Sequence, residues 1–355
     1  MKTSPSAAAQ AEEEERRKLA PLTQADHGIS GLVFNSDDAV TRPTVPTLPA
    51  SPHFHPQSSS SSSSFVASKD VTIQPSSSSP SLWARMFLPR AAAATLQKLP
   101  IVLYFHGGGF VGYSCASSVY HTFCERLAKS TDTIVVSVEY RLAPEHRLPA
   151  AYEDAAMALK WVQMELASVE AGGSCEPWLA SHADPSRCFL MGDSAGGNIV
   201  HHLSLRVAHM DLKPLKISGH ILLQPFFGGT ARTSQELILA NDKILSLKTV
   251  DFLWKLALPK DADRDHPMCN PLLSRSSNLK NIRLPKTLIA VGGRDPMCER
   301  QLQYFKLLKD AGKDIKLVVY EEAHHAFQLF GSNQEADLLF DELDTFLQTR
   351  MASKI

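Results

Sequence analysis

The stretch 187–205, RCFLMGDSAGGNIVHHLSL, combines an apolar run, a glycine-rich centre and a run of helical composition. This order predicts a strand, a sharp turn and a helix. Side chains at Gly192 and Gly196 would collide with the neighbouring strand and helix, so glycine fits both positions. Ser194 lies at the middle of the G-x-S-x-G turn, at a helix N-terminus whose dipole favours negative charge. A glycine-rich turn with an idle serine is the alternative, but the flanking strand and helix favour a nucleophile.

Further apolar runs alternate with helical patterns on both sides of this stretch. The strand-like runs are 100–106, 132–140, 217–227, 287–293 and 315–323, and the helical runs are 150–166, 248–258, 298–312 and 334–348. Such alternation predicts an α/β fold with a mostly parallel sheet covered by helices on both faces. Ligands of such sheets bind outside the carboxyl ends of the strands.

The N-terminal part of the chain has a different composition. It contains EEEERRK at 12–18 and the serine run 58–64, which bury little apolar surface. We therefore expect residues 1–64 to be a mobile, low-complexity segment and residues 65–350 to form the catalytic domain. Short strands are expected at 65–73 and 82–89.

Composition narrows the function classes. The 355 residues are 44% hydrophobic with a net charge of −1, which gives no indication of nucleic acid as a partner. No apolar run reaches the roughly 18 residues of a membrane span. The six cysteines show no zinc spacing, and the N-terminus lacks the apolar region of a signal peptide. We expect free thiols in a reducing compartment, the cytoplasm and also the nucleus. The oligomeric state is left open.

A serine nucleophile needs a base, and the base needs an orienting carboxylate. In this sheet architecture the chain order is serine, acid, histidine. Asp295 follows the strand-like run 287–293, and the adjacent His324 and His325 follow the next such run. A turn residue and solvated histidines are the alternatives, and spacing does not separate the two histidines.

The motif HGGG, His106–Gly109, follows the first strand-like run of the domain. Successive glycines let backbone N–H groups approach a ligand closely. We predict an oxyanion hole formed by the N–H groups of Gly107, Gly108 and Ala195. A phosphate-binding loop is disfavoured because the P-loop pattern is missing and His106 stands where its lysine would be.

Four aromatic residues lie near predicted strand ends or in the segment that follows them: Phe110, Phe226, Phe227 and Trp254. Aromatic residues of an α/β protein usually belong to the core, but substrate pockets are also lined by such side chains. We expect these four to line the substrate pocket.

Several motifs together resemble one known family. YFHGGGF, YRLAPEHRLPAAYED, GDSAGGNIVHH, PFFGG, GGRDP and HHAF occur in order between about residues 65 and 348, and they resemble the plant carboxylesterases of the hormone-sensitive-lipase-like class. The resemblance implies an α/β-hydrolase fold with an N-terminal or inserted helical cap, and no metal or cofactor. Since the family's motif ends in H-G-F or H-A-F, it also implies His325 as the base. The implied triad is Ser194, Asp295 and His325.

The resemblance implies a serine carboxylesterase that hydrolyses small-molecule esters through an acyl-enzyme. Two other functions remain open at this stage. Receptors of the gibberellin type resemble the same family, bind a small hormone and lack the catalytic histidine. Some relatives use the triad as an acid–base relay in lyase or cyclase chemistry of specialised metabolism. Sequence motifs do not identify the physiological substrate.

Overall fold

The central strands of the main sheet are built from apolar runs that are buried on both faces. A computed structural model describes residues 33–34, 40–53, 65–74, 81–90, 98–273, 276–330 and 333–348. Its strands are β1 Val33–Phe34, β2 Val40–Thr41, β3 Val66–Gln74, β4 Leu82–Pro89, β5 Leu99–Phe105, β6 Ile134–Glu139, β7 Ala183–Asp193, β8 Ile217–Leu223, β9 Lys286–Gly292 and β10 Ile315–Tyr320. The strands expected at 65–73 and 82–89 are confirmed as β3 and β4.

The helices lie between the strands, as the alternation predicted. They are α1 Ser118–Thr131, α2 Ala150–Glu170, α3 Pro177–His182, α4 Ala195–Val207, α5 Ser234–Ile238, α6 Leu247–Ala257, α7 Ser276–Asn281, α8 Cys298–Asp310 and α9 Gln334–Gln348, with 3₁₀ turns at Pro271–Leu273 and Phe327–Leu329. Helices α5, α6 and α7 form an insertion between β8 and β9, which we call the inserted segment and which covers residues 224–285.

Eight strands form one sheet in the order β10-β9-β8-β7-β5-β6-β4-β3. Neighbours from β6 to β10 pair in parallel, whereas β4 pairs antiparallel with both β6 and β3. The mostly parallel sheet predicted from the sequence is therefore confirmed. The chain order reverses around β5, since β6 lies on one side of it and β7 on the other, so β5 and β7 flank the switch point at which ligands bind in such folds.

Alternate residues of β5 point into two separate cores. Ile101 and Leu103 belong to a cluster that includes residues of α2, α4, α6 and α8. Val102 and Tyr104 belong to a second cluster, with residues of α1 and α9. Because each face is covered by helices, the strand is apolar at every position, which explains its continuous rather than alternating pattern.

Part of the N-terminal segment lies against the domain. Arg42 donates from Nε to the carbonyl of Val111 at 2.6 Å and forms an ion pair with Glu145 at 2.5 Å. The Leu48 amide donates to the carbonyl of Ala116 at 3.0 Å. These contacts concern residues 40–53, whereas most of the segment expected to be mobile lies outside the described residues. The proposed boundary at residue 65 stays a prediction.

The part of the chain that the structure describes was examined for disulfides, membrane-spanning helices and groups of metal ligands. All six cysteines fall within it, and none of them forms a disulfide. No described helix is both long enough and apolar enough to cross a membrane. Among the same residues, no three His, Cys, Asp or Glu side chains are grouped as metal ligands would be.

Candidate active site

The turn after β7 holds Ser194 in a conformation that few residues adopt. Its φ of 51° and ψ of −116° place it at the N-cap of α4. A Cβ on Gly192 would lie 2.4 Å from the backbone of Gly196, and one on Gly196 would lie 1.8 Å from the carbonyl oxygen of Phe105. The collisions expected from the sequence are therefore confirmed. Because glycine has no side chain at either position, β7, α4 and β5 can pack closely around the turn, with Ser194 at the end of the sheet.

Ser194, His325 and Asp295 lie together at the carboxyl ends of β7, β10 and β9. Nε2 of His325 is 3.0 Å from Oγ of Ser194, and Nδ1 is 2.7 Å from Oδ2 of Asp295. All three side chains are buried, Asp295 completely. The arrangement can transfer a proton from the hydroxyl to the ring while the carboxylate fixes the ring's orientation.

The ring of the neighbouring His324 makes contacts other than those of His325. Its Nδ1 lies 2.9 Å from the carbonyl oxygen of His325, and the ring packs near Phe330. Only His325 of this pair therefore contacts Ser194, a choice that spacing along the chain had left open.

Two buried glutamines contact Asp295 and the backbone on either side of His325. Gln301 donates from Nε2 to Oδ2 of Asp295 at 2.9 Å. Gln224 donates to the carbonyl of His324 at 2.9 Å and accepts from the amide of Ala326 at 2.8 Å, so it bridges both sides of His325. Sequence reasoning missed both residues. A polar side chain directly after the apolar strand β8 was the available signal for Gln224.

The charge on His325 depends on its acidic neighbours. Burial lowers the pKa of His325, but the negative charge of Asp295 and its hydrogen bond raise it, with smaller contributions from Asp193 and Asp242. The net pKa lies above the ordinary value of a histidine. The site is therefore suited to holding a protonated ring while a reaction is in progress.

The glycines of the HGGG loop lie close to Ser194. Gly108 and Gly109 line the cavity at Ser194, with φ angles of 109° and 61° that favour glycine. A Cβ on Gly107 would be 2.6 Å from Oδ2 of Asp193 and 3.1 Å from Cβ of Ser194, so the first glycine of the motif lies directly beside the serine. The oxyanion donors expected from the sequence, Gly107, Gly108 and Ala195, stay a prediction, and Gly109, expected as a motif residue, borders the cavity.

Asp193, which precedes Ser194, accepts hydrogen bonds from two tyrosines. Its carboxylate accepts from Tyr104 at 2.6 Å and from Tyr120 at 3.1 Å, and it is completely enclosed. Burial raises the pKa of Asp193 to about 6, although the two tyrosines and the Gly107 amide lower it. Asp193 therefore joins the end of β7 to β5 through Tyr104 and to α1 through Tyr120.

His106 supports the loop from below. Its ring stacks on Tyr140 at 4.4 Å between centroids, and the Tyr140 hydroxyl donates to the carbonyl of His106 at 2.7 Å. Burial lowers the pKa of His106, which keeps the ring neutral. His106 is not among the described residues that line the cavity.

A narrow cavity of about 40 Å³ lies beside Ser194. Of the four aromatic residues expected in the pocket, Phe226 lines it. Phe110 and Trp254 pack behind Phe226, with ring centroids 6.4 Å and 4.6 Å from it, and Phe227 packs on Tyr304 at 4.7 Å. These three rings are fully buried in the core.

Leu253 and Leu245 contribute side chains from the inserted segment instead, and neither was anticipated. Both are buried leucines in or beside helix α6, so in the sequence they cannot be distinguished from core residues.

Comparison with known proteins agrees with this geometry. Residues 102–329 match the family described as alpha/beta hydrolase fold. The chain is 40% identical over 334 residues to "Probable carboxylesterase 8" of Arabidopsis thaliana, covering 93% of this chain and 96% of that protein. It is also 40% identical over 266 residues to "Gibberellin receptor GID1" of Oryza sativa subsp. japonica, covering 75% and 71% of the two chains.

Among solved structures, an esterase of Pyrobaculum calidifontis aligns with a TM-score of 0.66 at 26% identity. The alignment covers 79% of this chain and 84% of the esterase. Its coverage extends well beyond the turn around Ser194, so the similarity concerns the domain as a whole.

Proposed function

The chain belongs to the alpha/beta hydrolase family and, within it, to the plant carboxylesterases of the hormone-sensitive-lipase-like class; we propose that it hydrolyses small carboxylic esters through an acyl-enzyme on Ser194. The observation that carries this proposal is the continuous hydrogen-bond chain from Ser194 through His325 to Asp295, with distances of 3.0 Å and 2.7 Å.

In the first step, the oxygen of Ser194 attacks the carbonyl carbon of the ester. His325 takes the hydroxyl proton on Nε2, and Asp295 stabilises the imidazolium and holds the ring orientation. The raised pKa of His325 supports this role, because it favours the protonated ring that forms during attack.

The carbonyl oxygen becomes negative in the tetrahedral intermediate. We assign its stabilisation to the N–H groups of Gly107, Gly108 and Ala195. Gly108 lines the cavity, and Ala195 begins helix α4, whose N-terminus favours negative charge. Each such donor typically contributes about 3 kcal/mol to transition-state stabilisation. Gly107 supports this assignment because a Cβ on it would lie 3.1 Å from Cβ of Ser194, which places its backbone beside the nucleophile.

Collapse of the intermediate expels the alcohol, which receives the proton from His325. Water then enters, gives its proton to the same nitrogen and attacks the acyl carbon. The second collapse releases the carboxylic acid and restores the Ser194 hydroxyl.

Labelling with a fluorophosphonate tests the nucleophile before any substrate is known. We expect the adduct on Ser194, and we expect Ser194→Ala to lose both labelling and hydrolysis of p-nitrophenyl acetate, by about 10⁶-fold in kcat. Ser130→Ala, at the exposed end of α1, is the matched control and should keep both. An adduct on another residue, or full turnover by Ser194→Ala, would exclude the mechanism.

A hormone-binding function is the second candidate, because the chain is 40% identical to a gibberellin receptor. Two features argue against it. The base His325 is present and contacts Ser194. In addition, Asp193 and His325 are the only acidic or basic side chains among the described lining residues, so no lysine or arginine among them pairs with a hormone carboxylate. Tight binding of a diterpenoid acid without any ester turnover would favour the receptor.

A further inference from the structure

The HGGG loop continues into a tight turn with an unusual backbone. Within residues 108–113, positive φ angles occur at Gly108 (109°), Gly109 (61°), Phe110 (66°) and Tyr113 (69°). Two of these residues are aromatic, and such a backbone is costly for a residue with a Cβ. A strained turn persists only where the surrounding groups hold it. The groups that hold this turn therefore also fix the N–H of Gly108, a proposed oxyanion donor.

The hydrogen bonds inside the turn converge on Gly108. The amides of Val111 and Gly112 both donate to the carbonyl of Gly108, at 3.0 Å and 2.9 Å. The carbonyl of Phe110 accepts from the amide of Ala143 at 2.8 Å, which joins the turn to the segment that follows β6. Val111 is thus one hydrogen bond away from Gly108.

Arg42, which belongs to the N-terminal segment, binds both of these parts. Its Nε donates to the carbonyl of Val111 at 2.6 Å, and its Nη2 donates to the carbonyl of Ala143 at 2.7 Å. Both Val111 and Ala143 are buried. The guanidinium therefore bridges the turn and the segment after β6, alongside the hydrogen bond between Phe110 and Ala143.

The chain that carries Arg42 is itself attached to the domain. The amide of Ser118, the first residue of α1, donates to the carbonyl of Pro46 at 2.7 Å, and the amide of Leu48 donates to the carbonyl of Ala116 at 3.0 Å. These backbone hydrogen bonds fix residues 46–48 close in the chain to Arg42, so its position does not depend on its own side-chain contacts alone.

The ion pair between Arg42 and Glu145 is a different kind of contact. The two side chains are 29% and 51% exposed. Ion pairs with this exposure contribute little to stability. A buried carbonyl that loses its donor is more costly, so the hydrogen bonds to Val111 and Ala143 matter more than the ion pair. The two kinds of contact can be separated by mutation.

We propose, on the basis of the esterase function above, that Arg42 is a positioning residue for the oxyanion hole. It holds residues 108–112 in the conformation that presents the N–H of Gly108 to the developing oxyanion. Arg42 is not among the described residues that line the cavity at Ser194, so it acts through Val111 and not on the substrate. The N-terminal segment thereby takes part in transition-state stabilisation.

Arg42→Met, whose side chain is long but has no donors, tests this role. With p-nitrophenyl acetate, kcat and kcat/KM should both fall by about 10- to 100-fold with little change in KM, because the oxyanion forms only after binding. Rates are expressed per site titrated with a fluorophosphonate, so that unfolded protein is not counted. The Ki of an alkyl trifluoromethyl ketone, whose adduct with Ser194 carries an equivalent oxyanion, should rise by the same factor as kcat/KM falls.

The pH profile separates the oxyanion hole from the triad. The hydrogen-bond partners of Arg42 are Val111, Ala143 and Glu145, which include no member of the triad. The acid limb of kcat/KM, which reports His325, should therefore stay at the wild-type pH in Arg42→Met.

Glu145→Gln is the matched control. It removes the ion pair and leaves both carbonyl contacts of Arg42, so kcat should stay within about twofold of the wild-type value. Arg126→Met removes a similarly exposed ion pair with Asp337 and should also keep kcat. If Arg42→Met fails to fold, Arg42→Lys provides the comparison, because lysine keeps the charge but lacks the fork of donors that reaches two carbonyls.

The outcomes separate this inference from the proposed function. Wild-type kcat in the Arg42 variant, or an equal loss in Glu145→Gln, overturns the role of Arg42 and leaves the esterase intact. A loss of kcat with an unchanged Ki of the ketone or a displaced acid limb does the same, as does a failure of both Arg42 variants to fold, which would make Arg42 a residue of the fold in general. A wild-type protein that hydrolyses no p-nitrophenyl acetate and takes no fluorophosphonate on Ser194 overturns the proposed function and this inference with it.

Discussion

The turn Gly192–Gly197 and the inserted segment are held in different ways. In the turn, backbone meets backbone: the Ser194 amide donates to the carbonyl of Leu223 at 2.8 Å, and the Phe226 amide donates to the carbonyl of Ser194 at 2.8 Å. The inserted segment is attached to the rest of the domain through side-chain contacts. Arg300 of α8 forms a buried ion pair with Glu236 of α5.

This difference determines which of the two regions can be recognised from the sequence. A geometry fixed by backbone contacts requires glycine at certain positions, and it is therefore visible as a motif. A segment held by side-chain pairs can change its cavity-facing residues while it keeps its fold. The turn around Ser194 can therefore be recognised in the sequence, whereas the residues of the inserted segment that line the cavity, such as Leu245 and Leu253, cannot.

Replacing the carboxylate of Asp295, which follows β9, should have the largest effect on activity. Asp295→Asn should lower kcat by about 10⁴-fold, since the amide no longer stabilises the imidazolium. Hydrolysis requires neutral His325, so kcat/KM falls as the pH drops through its pKa. Burial lowers that pKa and Asp295 raises it, so the acid limb of the variant should move to lower pH. A pH profile of kcat/KM measures both effects, and an acid limb that moves to higher pH would contradict this account.

The next largest effect should come from adding a side chain at Gly196, where the turn packs against β5. Gly196→Ala places a Cβ 1.8 Å from the carbonyl oxygen of Phe105, and we expect a loss of about 4 kcal/mol or more in the free energy of unfolding. Gly312→Ala is the control, because Gly312 has a φ of 73° with no atom within 4 Å of the added Cβ. That variant should lose only about 1 kcal/mol. Urea unfolding compares them, and equal losses would refute the steric argument.

A smaller effect should follow from weakening the ties of the inserted segment. Glu236→Gln leaves Arg300 buried without its anion, which should reduce the free energy of unfolding by about 3 kcal/mol. The exposed pair Lys306–Asp310 is the control, and Asp310→Asn should change stability by less than about 0.5 kcal/mol. If urea unfolding gives the two variants similar losses, side-chain pairing does not hold the inserted segment.

The smallest effect concerns the strain at Ser194. Its φ of 51° is costly for any residue with a Cβ and acceptable for glycine. Ser194→Gly should therefore unfold with a free energy about 1 kcal/mol higher than Ser194→Ala, after allowing for the flexibility of glycine in the unfolded chain. Neither variant can hydrolyse esters, so the comparison isolates the backbone. An alanine variant that is the more stable of the two would show that the turn stores no strain.

The order of elements and the positions of the reacting residues could be predicted from the sequence. Strand, turn and helix around Ser194 are local patterns, and the alternation of apolar runs predicts a parallel sheet whose carboxyl ends collect Asp295 and His325. The cavity could not be predicted in the same way. Phe110, Phe227 and Trp254 were as reasonable as Phe226 for lining it, because a sequence does not show which face of a packed ring a neighbour covers.

The sequence by itself determined the order of strand, turn and helix and the positions of Ser194, Asp295 and the histidine pair after strands, because these patterns are local in the chain. The tertiary structure decided which groups meet: Tyr104 with Asp193, Gln301 with Asp295, and Gln224 with the carbonyl of His324, 100 residues away. Contacts between distant segments depend on the packing of the whole sheet and its helices, and no short stretch of sequence contains that information.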